Sequence, residues 1–187
     1  MEFFFVSFEA IWTFFHACNN DTRPSNCNDR MFKVRPLLDI IIPKFRTAFT
    51  PHREVSIDEA MLLWRGRLAF RVYNPAKPIK YGVKSYVLAD STTGYCWNIL
   101  PYCGVSAPIT HTVPALMDRL LDHGHRLYMD NFYNSVTLTT MLLSRKTDVC
   151  GTLRSHRGEP PAIRNPTLEK GERVAMHNGT CMVLTWK

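Results

Sequence analysis

Two β-prone runs separated by a turn-rich link constrain the fold of this chain more than any other sequence feature. Residues 83–89 (VKSYVLA) and 95–102 (YCWNILPY) flank residues 90–94 (DSTTG). Polar turn formers and a glycine between runs of β-branched and aromatic residues predict a β-hairpin. We therefore expect antiparallel strands in the middle of the chain, and residues 67–73 predict one more strand.

The segment after this hairpin alternates between helical and strand-like patterns. Residues 125–131 (HRLYMDN) and 148–153 have the pattern of strands. A helix capped by Thr112 is predicted before them, and a second helix from Ser135 to Lys146 lies between them. Antiparallel strands followed by helix, strand, helix and strand predict an α/β fold. This order is compatible with a ribonuclease-H-like core, in which helices flank a mixed sheet.

The two ends of the chain carry further signals. The apolar run MEFFFVSFEAIWTFFHAC contains Glu2 and Glu9, follows no basic segment and falls short of the ~18 apolar residues that a membrane span needs. We interpret it as a buried helix, with a signal or membrane segment as the alternative. Residues 36–48 predict a helix that Pro43 should kink or shorten, and residues 173–186 predict a hairpin.

Composition indicates a folded chain with a polyanionic partner. The 187 residues are 45% hydrophobic and 12% aromatic, which is ordinary for a chain that buries a core. A formal net charge of +7 favours nucleic acid, with a basic surface that has no dedicated partner as the alternative. The six cysteines include no C-x-x-C pair, so a zinc site is not indicated and free thiols in a reducing compartment are expected.

The positive charge is concentrated in one stretch. No acid occurs between Glu59 and Asp90. The cations of this stretch, called the basic run below, are Arg65, Arg67, Arg71, Lys77, Lys80 and Lys84. Aromatic residues alternate with them, namely Trp64, Phe70, Tyr73, Tyr81 and Tyr86. Cations beside aromatic rings suit phosphate contact and base stacking, while a solvated strand face is the alternative.

Two aspartates lie at or near the ends of strand-like runs: Asp58 in residues 56–61 (SIDEAM) and Asp130 in YMDNF. Side chains alternate across a strand, so Asp58 and Glu59 should point to opposite faces, and only one of them can join Asp130. Neighbouring carboxylates repel unless a cation or proton lies between them, and their hard oxygen atoms favour Mg²⁺. Such a pair suits metal-dependent phosphodiester cleavage. Capping or salt-bridged surface aspartates are the alternative.

Several motifs in a fixed order resemble the piggyBac transposase family. Residues 55–104 contain I-D-E, then W-R-G-R, then Y-N-P-A-K-P-I-K-Y-G-V-K, then L-A-D-S-T-T-G-Y. Residues 126–135 (RLYMDNFYNS) resemble the family's second acidic motif, and residues 28–42 resemble the helix before the first acid. The joint order of these motifs is far more specific than any one of them.

The resemblance implies a nuclear DDE/D-type recombinase with a ribonuclease-H-like fold, which uses Mg²⁺ to nick transposon ends and join them to TTAA targets. By position, Asp58 is the first catalytic and metal-binding acid and Asp130 the second. Residues 1–50 are then a helical remnant of a region for dimerisation and DNA binding, and residues 51–187 are the catalytic core. DNA contact near the metals is implied for Arg65, Arg67, Lys77, Lys80 and Lys84.

The third acid of the family follows a strand that ends much like residues 183–187 (VLTWK). The late acids Glu159, Glu169 and Glu172 match no family position. We therefore expect a core truncated at both ends relative to the family, with two of the three acids and no transposase activity by itself. A domesticated, non-catalytic DNA-binding or protein-interaction remnant is the alternative, and a fragment without function is a third possibility.

Overall fold

The computed structural model describes residues 2–105 and 108–187, with side chains from Phe8 onward. The chain divides into two compact units, Met1–Ala48 and Phe49–Lys187. The first unit contains α1 (Glu2–Thr13), a short 3₁₀ turn at Asn20–Thr22 and α2 (Arg35–Ala48). That residues 1–50 descend from a dimerisation and DNA-binding region stays a prediction.

The two helices of the first unit form where the sequence predicts them. α2 continues through Pro43 to Ala48, so the proline does not shorten it, and the alternative that it kinks the helix stays a prediction. α1 forms as predicted, but its described apolar side chains are exposed, among them Phe8 and Trp12. The prediction of burial is wrong for these residues. Apolar side chains are buried only where other elements pack against them, and the sequence of the helix does not show whether they do. The side chains of residues 2–7 lie outside the described ones.

The second unit carries the sheet. Its elements are β1 (Glu54–Leu63), β2 (Val72–Tyr73), β3 (Tyr81–Asp90), β4 (Cys96–Pro101), α3 (Ile109–Met117), β5 (Arg126–Met129), α4 (Val136–Ser144), β6 (Asp148–Gly151), α5 (Pro161–Arg164), β7 (Arg173–His177) and β8 (Met182–Trp186). The main sheet has the order β2-β3-β1-β5-β6, with β4 paired to β3. β1, β5 and β6 are parallel neighbours, whereas β3 is antiparallel to β1, β2 and β4. The predicted mixed sheet flanked by helices is confirmed, and it is consistent with a ribonuclease-H-like core.

One face of this sheet, called the core face below, is buried under helices. Val55 and Ile57 of β1 lie beside Leu127 and Met129 of β5, and all four are buried. Side chains of α3 and α4 belong to the same buried cluster. Because side chains alternate along a strand, the residues between these apolar ones lie on the opposite face, called the acidic face.

Two elements of the second unit, the start of α3 and the strand over residues 67–73, differ from the sequence prediction. α3 begins at Ile109 after Pro108, and the hydroxyl of Thr112 donates to the Pro108 carbonyl from inside the helix instead of capping it. Ser135 does cap α4, accepting from the amide of Leu138 at 3.2 Å. The strand predicted over residues 67–73 is limited to Val72–Tyr73. The remainder forms turns, since Arg71 donates to the Leu68 carbonyl.

The predicted hairpins form. β3 and β4 pair around the 90–94 turn, and β7 and β8 make a separate two-stranded sheet. In the second hairpin, the side-chain oxygen of Asn178 accepts from the amides of Thr180 and Cys181, which closes the turn. No described helix is long and apolar enough to cross a membrane.

Candidate active site

The register between β1 and β5 brings the two predicted acids together. Ile57 lies opposite Met129 at the last register position of this parallel pair. Asp58 is the next residue of β1, and Asp130 is the first residue after β5. Both aspartates are exposed, whereas Ile57 and Met129 are buried on the core face. Alternation along β1 predicts the Asp58 side chain on the acidic face.

Each carboxylate accepts one local backbone hydrogen bond. The Oδ1 atom of Asp58 accepts from the amide of Glu59 at 2.7 Å. The Oδ1 atom of Asp130 accepts from the amide of Phe132 at 2.9 Å, while its backbone carbonyl accepts from Tyr133 and Asn134. This turn carries the chain from β5 into α4 and fixes the position of Asp130. Since each carboxylate retains further lone pairs, the two can bind a cation or an additional donor.

The oxygen donors suit a hard divalent cation, but they are few. Carboxylate oxygens are the protein ligands that Mg²⁺ prefers. Among the described residues, no group of three or more His, Cys, Asp and Glu side chains is placed to hold a metal ion. By themselves, Asp58 and Asp130 would supply only part of the coordination that Mg²⁺ requires.

The cations of the basic run divide into two groups. Arg65, Arg67 and Lys80 are exposed and Lys77 is half-buried, on the turns that connect β1 to β2 and β2 to β3. Among the described residues, none of these four side chains forms an ion pair with an acid. Their charge is therefore available to an external anion.

Lys84 lies on the core face instead. Its Nζ atom lies 4.6 Å from the ring centroid of Tyr86, 5.3 Å from that of Tyr102 and 5.2 Å from that of Phe132. A cation over aromatic rings is stabilised by their quadrupoles. The alternation that sets Lys84 here sets Asp58 on the other face, so a phosphate contact by Lys84 near the acids stays a prediction.

Glu59 and Tyr133 lie beside Lys84 on the core face. Glu59 is opposite Tyr86 in the β1–β3 register, and Tyr133 is 1% exposed. Burial raises the pKa of Glu59, and the carboxylate of Asp58 raises it further, while the Lys84 charge opposes both. Burial and the nearby Glu59 carboxylate raise the pKa of Tyr133. Asp58 is exposed and Glu59 is half-buried, but their side chains interact, so their separation onto opposite faces stays a prediction.

Asp90 is an acid whose role the sequence reasoning missed. Its carboxylate is fully buried and accepts from the His52 and Thr93 amides and from the Thr93 hydroxyl, each at 2.8 Å. Burial alone would raise its pKa, but the hydrogen bonds from Thr93 and His52 outweigh burial and lower the pKa to about 2. Asp90 therefore organises the turn between β3 and β4. The D-S-T-T-G pattern already contained the signal, since an aspartate at the first position of a turn commonly accepts from the backbone amides of that turn.

Comparison with known proteins decides the family. The sequence profile described as Transposase IS4 matches residues 7–187. The human PiggyBac transposable element-derived protein 3 is 26% identical over 180 residues, which cover 89% of this chain. The human PiggyBac transposable element-derived protein 2 is 25% identical over 179 residues. The chain belongs to the piggyBac transposase family.

A solved piggyBac structure extends the likeness to the fold. The cryo-EM structure of the piggyBac transposase synaptic complex with hairpin DNA superimposes with a TM-score of 0.88 at 29% identity and covers 96% of this chain. This piggyBac-family chain spans 40% of that transposase chain and 30% of each of the two human proteins. The family assignment made from motifs is confirmed.

The side chains of Glu159 and Asn131 both form hydrogen bonds within this piggyBac-family chain. The buried Glu159 carboxylate accepts from the His156 amide at 2.8 Å, the Arg164 guanidinium at 2.6 Å and the Arg157 amide at 2.9 Å. These bonds, from the His156 amide and Arg164 first, lower its pKa to about 2. The Asn131 side chain accepts from Arg154 at 3.3 Å, and its role in supporting the strand end stays a prediction.

A cavity of about 750 Å³ lies away from the acids. It is lined by α4, by β6 and by β8, including Asn134, Cys150 and Trp186. Asp58 and Asp130 do not line it. The described structure therefore offers the carboxylates as a surface pair, which fits an extended polyanion better than an enclosed small molecule.

Proposed function

We propose that this chain is the part of a piggyBac-type DNA transposase that contributes two acids and a DNA-binding surface to metal-dependent cleavage and strand transfer at TTAA sites. The observation that carries the proposal is that Asp58 and Asp130 directly follow Ile57 and Met129, which are register partners on the neighbouring parallel strands β1 and β5. Both carboxylates are exposed and keep lone pairs for a ligand. Nuclear localisation and a homodimer of the longer protein are parts of the same proposal.

Asp58 and Asp130 are the residues that would hold Mg²⁺. A divalent ion there neutralises charge on a scissile phosphate and activates a water molecule or a 3′-hydroxyl. The β1–β5 pairing holds Asp58 in place, and the turn after β5 holds Asp130. These elements are rigid, which matters because about 1 Å of misplacement can cost on the order of a hundredfold in rate.

DNA phosphates are proposed to contact Arg65, Arg67, Lys77 and Lys80. Their side chains have no ion-pair partner among the described residues, and no acid lies between Glu59 and Asp90 in the sequence. Protein cations that neutralise phosphates release the counterions condensed on the DNA, and this release supplies most sequence-independent affinity. The solved structural neighbour is a transposase in complex with hairpin DNA, which supports a DNA partner for this family member.

The 187-residue polypeptide is proposed to bind DNA without cleaving it. Mg²⁺ requires near-octahedral coordination, and the two carboxylates that fit the family's positions leave most of its ligands to water. Two ions held in line with a scissile phosphate need at least one more carboxylate. A domesticated, non-catalytic DNA-binding remnant is the second candidate, and it is supported by the finding that no group of three His, Cys, Asp or Glu side chains among the described residues is placed to hold a metal ion.

The test measures binding and cleavage on one substrate, a TTAA-flanked transposon end with Mg²⁺ or Mn²⁺. We expect binding whose log affinity falls linearly with log salt, at about 0.9 per phosphate neutralised. The double reversal Lys77→Glu with Lys80→Glu should lower the slope by about two. Lys170→Glu, an exposed lysine outside the basic run, is the matched control and should change the slope less.

Two results would overturn parts of this proposal. Unchanged binding in the Lys77→Glu, Lys80→Glu protein would move the DNA surface away from the basic run. Metal-dependent nicking by the polypeptide that Asp58→Ala and Asp130→Ala each abolish would show that two acids suffice for cleavage.

A further inference from the structure

Two exposed tyrosines within the basic run have their rings in contact, tilted by 31° to each other. Tyr73 of β2 and Tyr81 of β3 are register partners, and their ring centroids lie 4.6 Å apart. The guanidinium carbon of Arg71 lies 5.4 Å from the centroid of the Tyr81 ring. Tyr73 is 56% exposed and Tyr81 is 47% exposed, so the pair presents ring surface to solvent. We call Arg71, Tyr73 and Tyr81 the aromatic platform.

Backbone packing holds the platform in place. A β carbon at Gly82 would lie 2.2 Å from the carbonyl oxygen of Leu62, so glycine here allows β1 to approach β3 closely, directly after Tyr81. The Nη1 atom of Arg71 donates to the carbonyl of Arg65 at 3.3 Å, which orients the guanidinium group. The rings are thereby arranged before any ligand binds, and little conformational entropy remains to be lost.

The platform lies on the same face of the sheet as the acid pair. Asp58 is opposite Val87 in an unbroken β1–β3 register, and Tyr81 lies six residues before Val87 on the same strand. Residues an even number of positions apart share a face, and six steps of a strand span about 20 Å. That distance corresponds to roughly six base steps of B-form DNA.

The residues near the platform indicate which class of ligand it would bind. The cations Arg65, Arg67, Lys77 and Lys80 lie within eight residues of a platform residue in the sequence, which contains no acid between Glu59 and Asp90. Exposed aromatic rings with cations near them in the chain suit a nucleobase with flanking phosphates. In a duplex both faces of a base are covered by its neighbours, so the ring of a tyrosine can stack on a base only where the base is unpaired.

We propose that the aromatic platform binds an unpaired base of single-stranded DNA, while the cations beside it hold the adjacent phosphates. This proposal rests on the DNA-binding function proposed above and adds to it a site for unpaired nucleotides on the face that carries Asp58. Phosphate contact and base contact then come from separate side chains, so they can be separated experimentally.

The experiment compares two oligonucleotides that differ only in their bases. One is a short oligothymidylate, and the other is an abasic strand of equal length with the same phosphate charge. Binding of each to the 187-residue chain is measured by fluorescence anisotropy at one salt concentration. We expect at least about fivefold tighter binding of the oligothymidylate, since stacking of one base is worth about 1 kcal/mol or more.

Variants assign that difference to the platform. Tyr73→Ala with Tyr81→Ala should lower oligothymidylate binding to the level of the abasic strand and leave abasic binding unchanged. Tyr73→Phe with Tyr81→Phe keeps both rings and should keep the difference. Tyr73→Leu with Tyr81→Leu keeps apolar volume without a π face and should lose it. Circular dichroism melting of each variant checks that the fold is retained.

The outcomes separate this inference from the function on which it rests. Equal binding of both oligonucleotides by the wild-type chain, or a difference that survives in both the Ala and Leu variants, overturns the platform as a base-binding site and leaves DNA binding intact. Binding of neither oligonucleotide overturns the proposed DNA-binding function, and the platform with it.

Discussion

Asp58 and Asp90 lie on neighbouring strands of one sheet, yet their surroundings are opposite. The Asp90 side chain is 0% exposed, and its two oxygens accept from the backbone and side chains of His52 and Thr93. Asp58 is exposed, and its carboxylate accepts from the amide of the next residue. A buried carboxylate costs free energy unless its lone pairs are satisfied, whereas an exposed one can keep them for a ligand.

The comparison distinguishes a structural acid from a candidate ligand. Asp90 joins the turn after β3 to the residues before β1, so its hydrogen bonds stabilise the fold. Asp58 and Asp130 contribute little to the fold through their carboxylates, and their proximity is repulsive unless a cation lies between them. Stability measurements should therefore separate the two kinds of aspartate.

The largest effect is expected for Asp90→Ala, which should lower the free energy of unfolding by about 3 kcal/mol. The substitution leaves the amides of His52 and Thr93 without their acceptor in a buried site. Urea unfolding at neutral pH measures the change. Asp58→Ala is the control and should alter the free energy by less than about 0.5 kcal/mol. A larger loss for Asp58→Ala than for Asp90→Ala would reverse the comparison.

Protonation of Asp90 at low pH should lower the free energy of unfolding by slightly less than Asp90→Ala does. The folded-state pKa of Asp90 is about 2, below the ordinary value of 3.8. Its charged form is therefore favoured by folding, and this contribution is complete above about pH 4 and lost as the pH falls toward 2. It amounts to about 2 kcal/mol. The difference in unfolding free energy between wild type and Asp90→Asn should narrow over that range, and a difference that does not change with pH would contradict this assignment.

Binding of a divalent cation should change the free energy of unfolding least of the three, and this change should depend on Asp58 and Asp130. Mn²⁺ at about ten times its dissociation constant should stabilise the wild-type chain by about 1.4 kcal/mol. Asp58→Asn and Asp130→Asn should each abolish that gain, because each removes one of two carboxylates. Asp90→Asn should retain it. Thermal unfolding with and without Mn²⁺ measures this, and a gain that persists in both ligand variants would place the cation elsewhere.

The sequence predicted the central elements well, because their signals are local. The β3–β4 hairpin, the alternation of β5 and the start of a helix at Ser135 follow from turn chemistry and periodicity. The start of α3 was missed because Pro108 begins it and Thr112, a residue that favours caps, lies inside the helix. Burial of α1 was expected from its apolar residues, but burial depends on whether other elements pack against a helix, which the sequence of that helix does not show.

The candidate site was predicted in part for a similar reason. Asp58 and Asp130 could be named from the resemblance, and alternation separated Asp58 from Glu59. Assignment of Lys84 to the core face depends on the β1–β3 register, which sets it beside Tyr86 and on the side away from Asp58. A run of similar cations in a sequence does not reveal which of them share a face.

The sequence by itself determined the family, the basic run and the two aspartates, because motif order, charge and residue type are properties of the chain. The tertiary structure decided which residues meet. Parallel pairing of β1 with β5 sets Ile57 beside Met129, the residues that directly precede Asp58 and Asp130. Closure of the turn after β3 buries Asp90, and pairing of β2 with β3 brings the rings of Tyr73 and Tyr81 into contact. Each of these contacts depends on strand register, which is set by packing of the whole sheet against its helices and not by any local segment.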